Sequence, residues 1–569
     1  MSIPYTDKPW LFLNDYKGKA FSGEWPTLAE MFKITVSRYP ERPWLTIYEP
    51  DRISLNFTQA MTLVESVARW LHSKGIRKGD KVAVTGKNSP EWAVAYMGII
   101  FAGGIVIPID YQLRNEEVSL LLKTADARIL FVDEEKHEFY APNPGALEAV
   151  ISLKKGIGSY IYDLDGPAAE MEQATEDDIA AILFTSGTTG NPKGVMLTHK
   201  NFVSDCYLSQ GTPLLVSHID VFYAILPIHH SFCMTAVFLL TISTGSEVIF
   251  GKKMVTQAIL HDLKEGKVTM LLGVPMLFNK VLKGIMTGLK KKGPVVYGIL
   301  SFLMTVSGCI KKTFNVNPGK KMFGFVLDKA SLKTIRICVS GGGPLAPSVF
   351  RKYNQLGLDF VQGYGLTETA PIVTINPIEH YKETSVGRPC FGVDIKILDP
   401  NERGIGEVLI KGPMIMKGYY KMPEETAAMF TPDGYLKTGD LGYMDSENYL
   451  YLTGRSKNLI VTGSGKNVYP EEIENEFQLY EEIEQILVRE FVKDPELKKS
   501  GIEALVFPTA EIKNEQGEIL SGEAVKKRIE KIVEEVNLRL HSYAKIDRVI
   551  VLDKPMEMTS TKKIKRATV

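Results

Sequence analysis

A chain of 569 residues is several times the usual single-domain size of roughly 100–150 residues, so it must hold more than one packed core. Its 44% hydrophobic and 24% charged residues are ordinary soluble-globular usage, which excludes a disordered or fibrous chain. Lys+Arg and Asp+Glu both number 67, so no global field exists to hold a polyanion; nucleic acid is excluded as a partner, and any anion must be held by local groups.

The amino-terminal MSIPYTDKPWLFLNDYKGK mixes acids, bases and aromatics without a basic segment leading into an apolar stretch, so a cytoplasmic location is expected. The cysteines, Cys206, Cys233, Cys309, Cys338 and Cys390, are scattered and never spaced C-x-x-C. That pattern fits a reducing compartment and offers neither a disulfide framework nor a cysteine metal site.

Within Trp92–Ile109, AVAYMGIIFA reads as a helix and GGIVIPI as a glycine break followed by a strand. Next, AILF reads as a buried strand running into Thr185, Ser186, Gly187, Thr188, Thr189 and Gly190, closed by Lys193 and Gly194. Glycines let backbone N–H groups converge on an anion, hydroxyls add donors and lysine adds charge, which makes a phosphate cradle. Glycine follows Lys193, so this is not the G-x-x-x-x-G-K-[ST] loop of P-loop kinases and GTPases. Val221–Ser246 lacks Asp, Glu, Lys and Arg over a length that could span a membrane, yet its interior reads as strand VFYAIL, loop LPIHH, helix CMTAVFLLTIS, Gly245 and strand EVIF. A buried βαβ unit is predicted there.

Residues 281–329 carry nine lysines against one acid, Asp328, flanking the apolar run VVYGILSFLMTVSGCI. The run is too short to span comfortably, which leaves a surface helical insertion with solvated lysines or an interfacial membrane contact. VSGGGPLAPSVF reads as strand, glycine turn and helix; Gly341, Gly342 and Gly343 form either a plain tight turn or a wall that a flat ligand can approach. VQGYGLTETAP sets Tyr364 three residues before Thr367 and four before Glu368, an aromatic face beside a hydroxyl and a carboxylate. ERGIGEVLIKGPMIMKGYY gives short strands and turns, GYLKTGDLGYMD places Asp440 after a glycine turn, and GRSKNLI supplies Arg455, a fixed guanidinium fork. After LYLTGRSKNLIV the pattern changes: PEEIENEFQLYEEIEQILV has helical spacing, GIEALVFP is a strand and EAVKKRIEKIVEEVNLRL an amphipathic helix. A boundary is placed at Gly454–Lys457, separating residues 1–456 from a compact α+β module of residues 457–569.

The stretch TSGTTGNPKG, followed in order by VSGGGPL, YGLTE, TGD and GRSKNLI, resembles the adenylate-forming (AMP-binding) superfamily that includes the long-chain fatty acid–CoA ligases. The resemblance runs from Ala29 to Arg566. It implies an α/β fold: a large multi-sheet N-terminal AMP- and acyl-binding domain, carrying the basic insertion, and a small mobile C-terminal α+β domain hinged at Lys457. It also implies ATP, Mg²⁺ and coenzyme A as cofactor and co-substrates. Gly342 and Gly343 would flank the adenine, Tyr364 cover it, Asp440 take the ribose hydroxyls, Arg455 hold phosphate or ribose oxygens, Thr367 donate to phosphate and Glu368 hold Mg²⁺. His230 matches the family's histidine beside the acyl pocket, with His229 extra. In EMTSTKKIKRATV, Lys563 falls at the adenylation lysine; Lys562 replaces the usual glycine, so Lys562, Lys563 and Lys565 can each reach an anion.

The expected reaction joins a fatty acid to ATP, releases pyrophosphate, and passes the acyl-adenylate to coenzyme A. Two rivals stand beside it: the same adenylation on a medium-chain or aryl acid or with acyl carrier protein as acceptor, and a catalytically silent, lipid-responsive membrane adaptor. Peripheral membrane contact and a homodimer are compatible with each.

Overall fold

The computed structural model describes residues 8–170, 172–185, 192–211, 214, 216–252, 255–462, 466–494, 499–512, 518–558 and 564–566. Two large sheets form its body. A seven-stranded sheet runs in the order Gly418–Tyr419, Lys193–Thr198, Ile179–Thr185, Ile105–Ile109, Lys81–Thr85, Ile129–Val132, Ala149–Ser152. A nine-stranded sheet has a parallel centre in which Asp359–Tyr364, Ile337–Ser340, Met270–Gly273, Val221–Ala224, Glu247–Phe250 and Pro43–Ile47 lie side by side. Central strands such as Ile105–Ile109 and Ile129–Val132 are buried at every position, which is why they read as continuous apolar runs.

The helix Pro90–Phe101 is buried almost all round, as expected of an element enclosed within the core rather than lying on it. Ser89 caps it, its Oγ accepting the Trp92 N–H at 3.2 Å, and Pro90 opens the first turn. Trp92 and Tyr96 stack with ring centroids 5.5 Å apart, and Phe238 meets both edge-on. Phe238 belongs to the unit predicted at 221–246, which folds as expected: strand Val221–Ala224, a turn, a buried helix from Ser231 to Thr244, Gly245 at φ +77°, and strand Glu247–Phe250. Its middle, Met234–Leu239, is wound as a π-helix, a rare winding that often marks a functional region.

Four antiparallel strands, Asp394–Leu398, Gly406–Lys411, Leu436–Met444 and Leu450–Arg455, make a third sheet. Beyond the 3₁₀ turn Ser456–Asn458 the chain builds its own core around Ile473, Val488, Ala504, Ile532 and Val536. There the strands Ile483–Asp494, Lys499–Pro508 and Arg548–Val551 pair beneath the helix Glu523–Asn537.

Two sequence expectations change. The helical spacing read across 470–488 yields a helix only at Pro470–Asn475, because from Ile483 onward the chain pairs along the length of Lys499–Pro508, and sheet pairing overrides a weak local period. The apolar run of the insertion, read as too short to span, belongs to a helix Pro294–Phe314 of 21 residues. Its length of about 31 Å matches a hydrocarbon core, so it is long and apolar enough to cross a membrane by length and composition.

Candidate functional site

The strand Ile179–Thr185 turns back antiparallel into Lys193–Thr198, with Thr185 opposite Lys193. Ser186, Gly187, Thr188, Thr189 and Gly190 lie outside the described residues, so the cradle is seen through its two flanks. Lys193 Nζ stands 4.9 Å above the Tyr419 ring, and the edge strand Gly418–Tyr419 pairs with Val195 and Met196. The Tyr419 hydroxyl donates to Glu368 Oε1 at 2.8 Å. Burial and the Glu368 charge push that hydroxyl's pKa up, so it stays a donor. Cation, ring and carboxylate therefore form a chain from the cradle to the predicted metal ligand. Thr367 Oγ1 lies 3.3 Å from Ser231 Oγ, tying this loop to the His230 turn.

Tyr364, at the end of the strand Asp359–Tyr364, donates its hydroxyl to Asp440 Oδ2 at 2.6 Å. Asp440 Oδ1 is 2.6 Å from Arg455 Nε, because the two residues face each other across paired strands. Gly439, at φ +68°, makes the bend that turns Asp440 inward. The Asp440 side chain is only 8% exposed, so this pair of contacts is buried. Burial and the neighbouring Asp440 charge hold the Tyr364 hydroxyl well above its ordinary pKa. Gly365 has no room for a side chain, since a Cβ would sit 1.4 Å from the Pro371 carbonyl oxygen. Gly342 and Gly343 are exposed; Gly342 is at φ +77°, and a Cβ on Gly343 would make only ordinary contact with Pro275.

His230 and His229 lie against each other with ring centroids 4.2 Å apart and planes tilted by 48°. His229 is buried with its Nε2 3.5 Å from Asp110 Oδ1, and the ligand atoms of Asp110, His229 and His230 lie within 4.8 Å of one another. No local spacing could show this group, because Asp110 arrives from the end of the strand Ile105–Ile109.

Lys457 occupies the 3₁₀ turn at the head of the terminal module, and burial together with the charges of Arg455 and Arg566 pulls its ammonium below the ordinary range. Arg566 grips Glu474 through both carboxylate oxygens at 2.7 Å and donates to the Val488 carbonyl at 2.9 Å. Gln478 docks the module on the body: its Oε1 accepts the Ala346 N–H at 2.8 Å and its Nε2 donates to the Pro344 carbonyl at 3.0 Å. Lys562 and Lys563 lie outside the described residues; Lys565 Nζ is 3.7 Å from Glu557.

Three site residues escaped the sequence reading. Tyr419 sat in a stretch read only as strands and turns. Ser231 was hidden behind the histidine pair. Asp205, fully buried and pushed well up in pKa by that burial, accepts the Ile372 N–H at 3.0 Å and so fixes the backbone just after the Tyr364–Glu368 loop. Nothing local marks Asp205, since it is one polar residue on a helix.

A sequence profile of the AMP-binding enzyme family matches residues 32–420. The long-chain-fatty-acid–CoA ligase of Bacillus subtilis (strain 168) is 29% identical over 535 residues, covering 85% of this chain and 86% of its own. A feruloyl-CoA synthase from Amycolatopsis sp is 28% identical over 502 residues, covering 85% and 88%. Among solved structures, ATP-bound MatB from Rhodopseudomonas palustris superposes with a TM-score of 0.74 at 25% identity, covering 95% of this chain and 98% of its own. The anthranilate CoA ligase AuaEII in complex with anthranoyl-AMP gives a TM-score of 0.78 at 20% identity over 96% and 97%, a likeness of fold.

Proposed function

The chain belongs to the AMP-binding enzyme family of adenylate-forming ligases, and we propose that it activates a long-chain fatty acid with ATP and transfers the acyl group to coenzyme A. The observation that carries this reading is the Tyr364–Asp440–Arg455 constellation, an aromatic ring, a buried carboxylate and a guanidinium joined by 2.6 Å links. Those three groups suit a nucleotide: a face for its base, an acceptor for its diol and a cation near its phosphate. Gly342 and Gly343 leave open backbone on the base side, which their own packing does not require.

In the first half-reaction the carboxylate oxygen attacks the α-phosphorus, the bond to the β-phosphate bridging oxygen breaks, and pyrophosphate leaves. Two anions must approach, so charge has to be neutralised where it develops. Thr185 to Gly190 and Lys193 hold the leaving phosphates, Thr367 donates to the α-phosphate, and Lys563 supplies the positive charge for the reacting oxygens. Glu368 suits Mg²⁺: a hard carboxylate whose Oε1 is oriented by Tyr419, leaving Oε2 free of that bond. Bound there, Mg²⁺ would offset phosphate charge. In the second half-reaction the thiol sulfur attacks the acyl carbonyl and AMP leaves. His230 serves the acyl side of the site, the role its match to the family's histidine implies. Residues 457–569 turn about Lys457, taking Lys563 out of the way of the thiol. In this reading the site works on small molecules, with no nucleic-acid partner, in the cytoplasm or at a membrane.

A long chain is supported by the B. subtilis relative and by the apolar helix Ser231–Thr244 that follows His230. A second reading, an aryl acid, is favoured by the feruloyl-CoA synthase, which matches as much of the chain. Incubation with ATP, Mg²⁺, coenzyme A and equimolar octanoate, palmitate and ferulate, followed by mass spectrometry, separates them. Palmitoyl-CoA with stoichiometric AMP is expected. Feruloyl-CoA as the main product would overturn the long-chain assignment, and ADP in place of AMP would overturn the chemistry.

A further inference from the structure

The helix Pro294–Phe314 has two unlike sides. Its inner stripe, Met304, Ser307 and Lys311, is buried at helical spacing, with Tyr297, Leu300 and Leu303 packed beside it against the helices Pro275–Lys290 and Pro347–Gln355. Its outer side exposes Val295 (74%), Ile299 (55%) and Phe302 (67%), and Phe314 (71%) is exposed at its end. A soluble surface helix places charge on that side, yet from Pro294 to Ile310 this helix has no Asp, Glu, Lys or Arg. The strip is bracketed by cations. Lys291 and Lys292 precede it, Lys312 follows it, and Lys321 and Lys329 are exposed on the segment that comes next. Lys292 Nζ lies 5.6 Å from the ring of Phe325, itself 53% exposed, so that segment joins the same surface. Asp328 is the only acid in the insertion.

We propose that this outer face, with its bracketing lysines, docks the protein on an anionic lipid bilayer, the helix lying in the plane of the interface. Charge complementarity selects the occupant: a strip without charge framed by lysines matches an apolar interior beneath anionic headgroups. The in-plane orientation follows from Lys311. Its Nζ is buried and bonded to Asn354 Oδ1 at 2.6 Å and to Asp359 Oδ1 at 2.6 Å, so the inner stripe is bound to the body and a transmembrane pose would have to tear these bonds out. The helical hairpin that carries the surface starts at Val274 and Pro275, which lie against Gly342 and Gly343. Under the fatty-acid reading, the surface would thus hold the site next to a bilayer-dissolved substrate, but the docking itself does not depend on that reading.

Sedimentation with vesicles, run without substrates, tests it independently of catalysis. The wild-type chain should bind phosphatidylglycerol-containing vesicles at least about tenfold more tightly than pure phosphatidylcholine, and be released by about 0.5 M salt. The triple variant Lys291→Gln, Lys292→Gln, Lys321→Gln should weaken binding about a hundredfold. Ile299→Ser with Phe302→Ser should weaken it about tenfold or more. All these side chains are exposed, and an unchanged thermal midpoint confirms folding. No binding to anionic vesicles, or equal binding by every variant, overturns the proposal. Retention through both high salt and alkaline carbonate overturns the in-plane pose in favour of a span. Self-association in the absence of lipid that Ile299→Ser with Phe302→Ser abolishes would assign the face to a second copy of the chain and overturn the bilayer.

Discussion

Replacing Asp440 by Asn tests the nucleoside site with almost no change of shape. In the wild type, Oδ2 accepts the Tyr364 hydroxyl and Oδ1 meets Arg455 Nε, both at 2.6 Å, and in the proposed site this carboxylate also accepts the ribose diol. Asparagine keeps one oxygen, which stays with Arg455, and turns an NH₂ toward Tyr364, whose hydroxyl can rotate to accept. One of two acceptors for a diol is then gone and the other has lost its charge. A hydrogen bond to a charged group contributes about 1.5–3 kcal/mol, so a loss of about 2 kcal/mol corresponds to roughly 30-fold weaker AMP and ATP binding. Arg455 is 39% exposed and can be solvated, so the thermal midpoint should move little. Calorimetric titration with AMP and with its 2′,3′-dideoxy analogue reads this directly. Wild type should prefer AMP strongly, while Asp440→Asn should bind the two within about threefold of each other. If the variant still discriminates as the wild type does, the diol is not held by Asp440 and the site's orientation is wrong.

Glu368→Gln keeps the acceptor for Tyr419 but removes the charge facing the metal; the Mg²⁺ concentration for half-maximal adenylation should rise about tenfold or more, and an unchanged Mg²⁺ titration would refute the role. Lys563→Ala should abolish acyl-adenylate formation and spare thiolysis of supplied acyl-adenylate, whereas Lys457→Pro, by fixing φ near −65° at the hinge, should do the reverse. Measuring Lys562→Ala and Lys565→Ala alongside identifies which lysine acts, and equal loss of both half-reactions in Lys563→Ala would refute separate constellations. His199 is fully buried, accepts the Leu28 N–H at Nδ1 and is pulled down to about 4, so the unfolded chain binds the extra proton. Its contribution, about 3 kcal/mol, is complete above pH 6.5 and lost as pH falls through 4; His199→Asn should flatten the urea midpoint over that interval, and an unaltered slope would contradict it.

The parts legible in the sequence are those where chain neighbours do the work. The glycine break before Ile105–Ile109, the strand–turn–helix at 337–355 and the unit at 221–250 carry their own periodicity and punctuation, and they fold as read. Tyr364, Glu368, Asp440 and Arg455 were found through short motifs, but the bond from Tyr364 to Asp440 spans 76 residues and exists only because two different sheets meet. Tyr419 and Asp205 show the limit more sharply. Each acts through a partner brought from far along the chain, Glu368 and Ile372, and neither sits in a pattern that its own neighbours define. Residues 483–488 carry helical spacing yet begin the strand Ile483–Asp494, because the pairing that decides the matter lies in residues 499–508.

The most direct test of the account is exchange of labelled pyrophosphate into ATP, catalysed by the wild-type chain without coenzyme A. Reversible adenylate formation predicts exchange that requires both Mg²⁺ and a fatty acid and is strongest for long chains. Exchange that is absent with every acid would contradict an active adenylating site and return the chain to the silent adaptor.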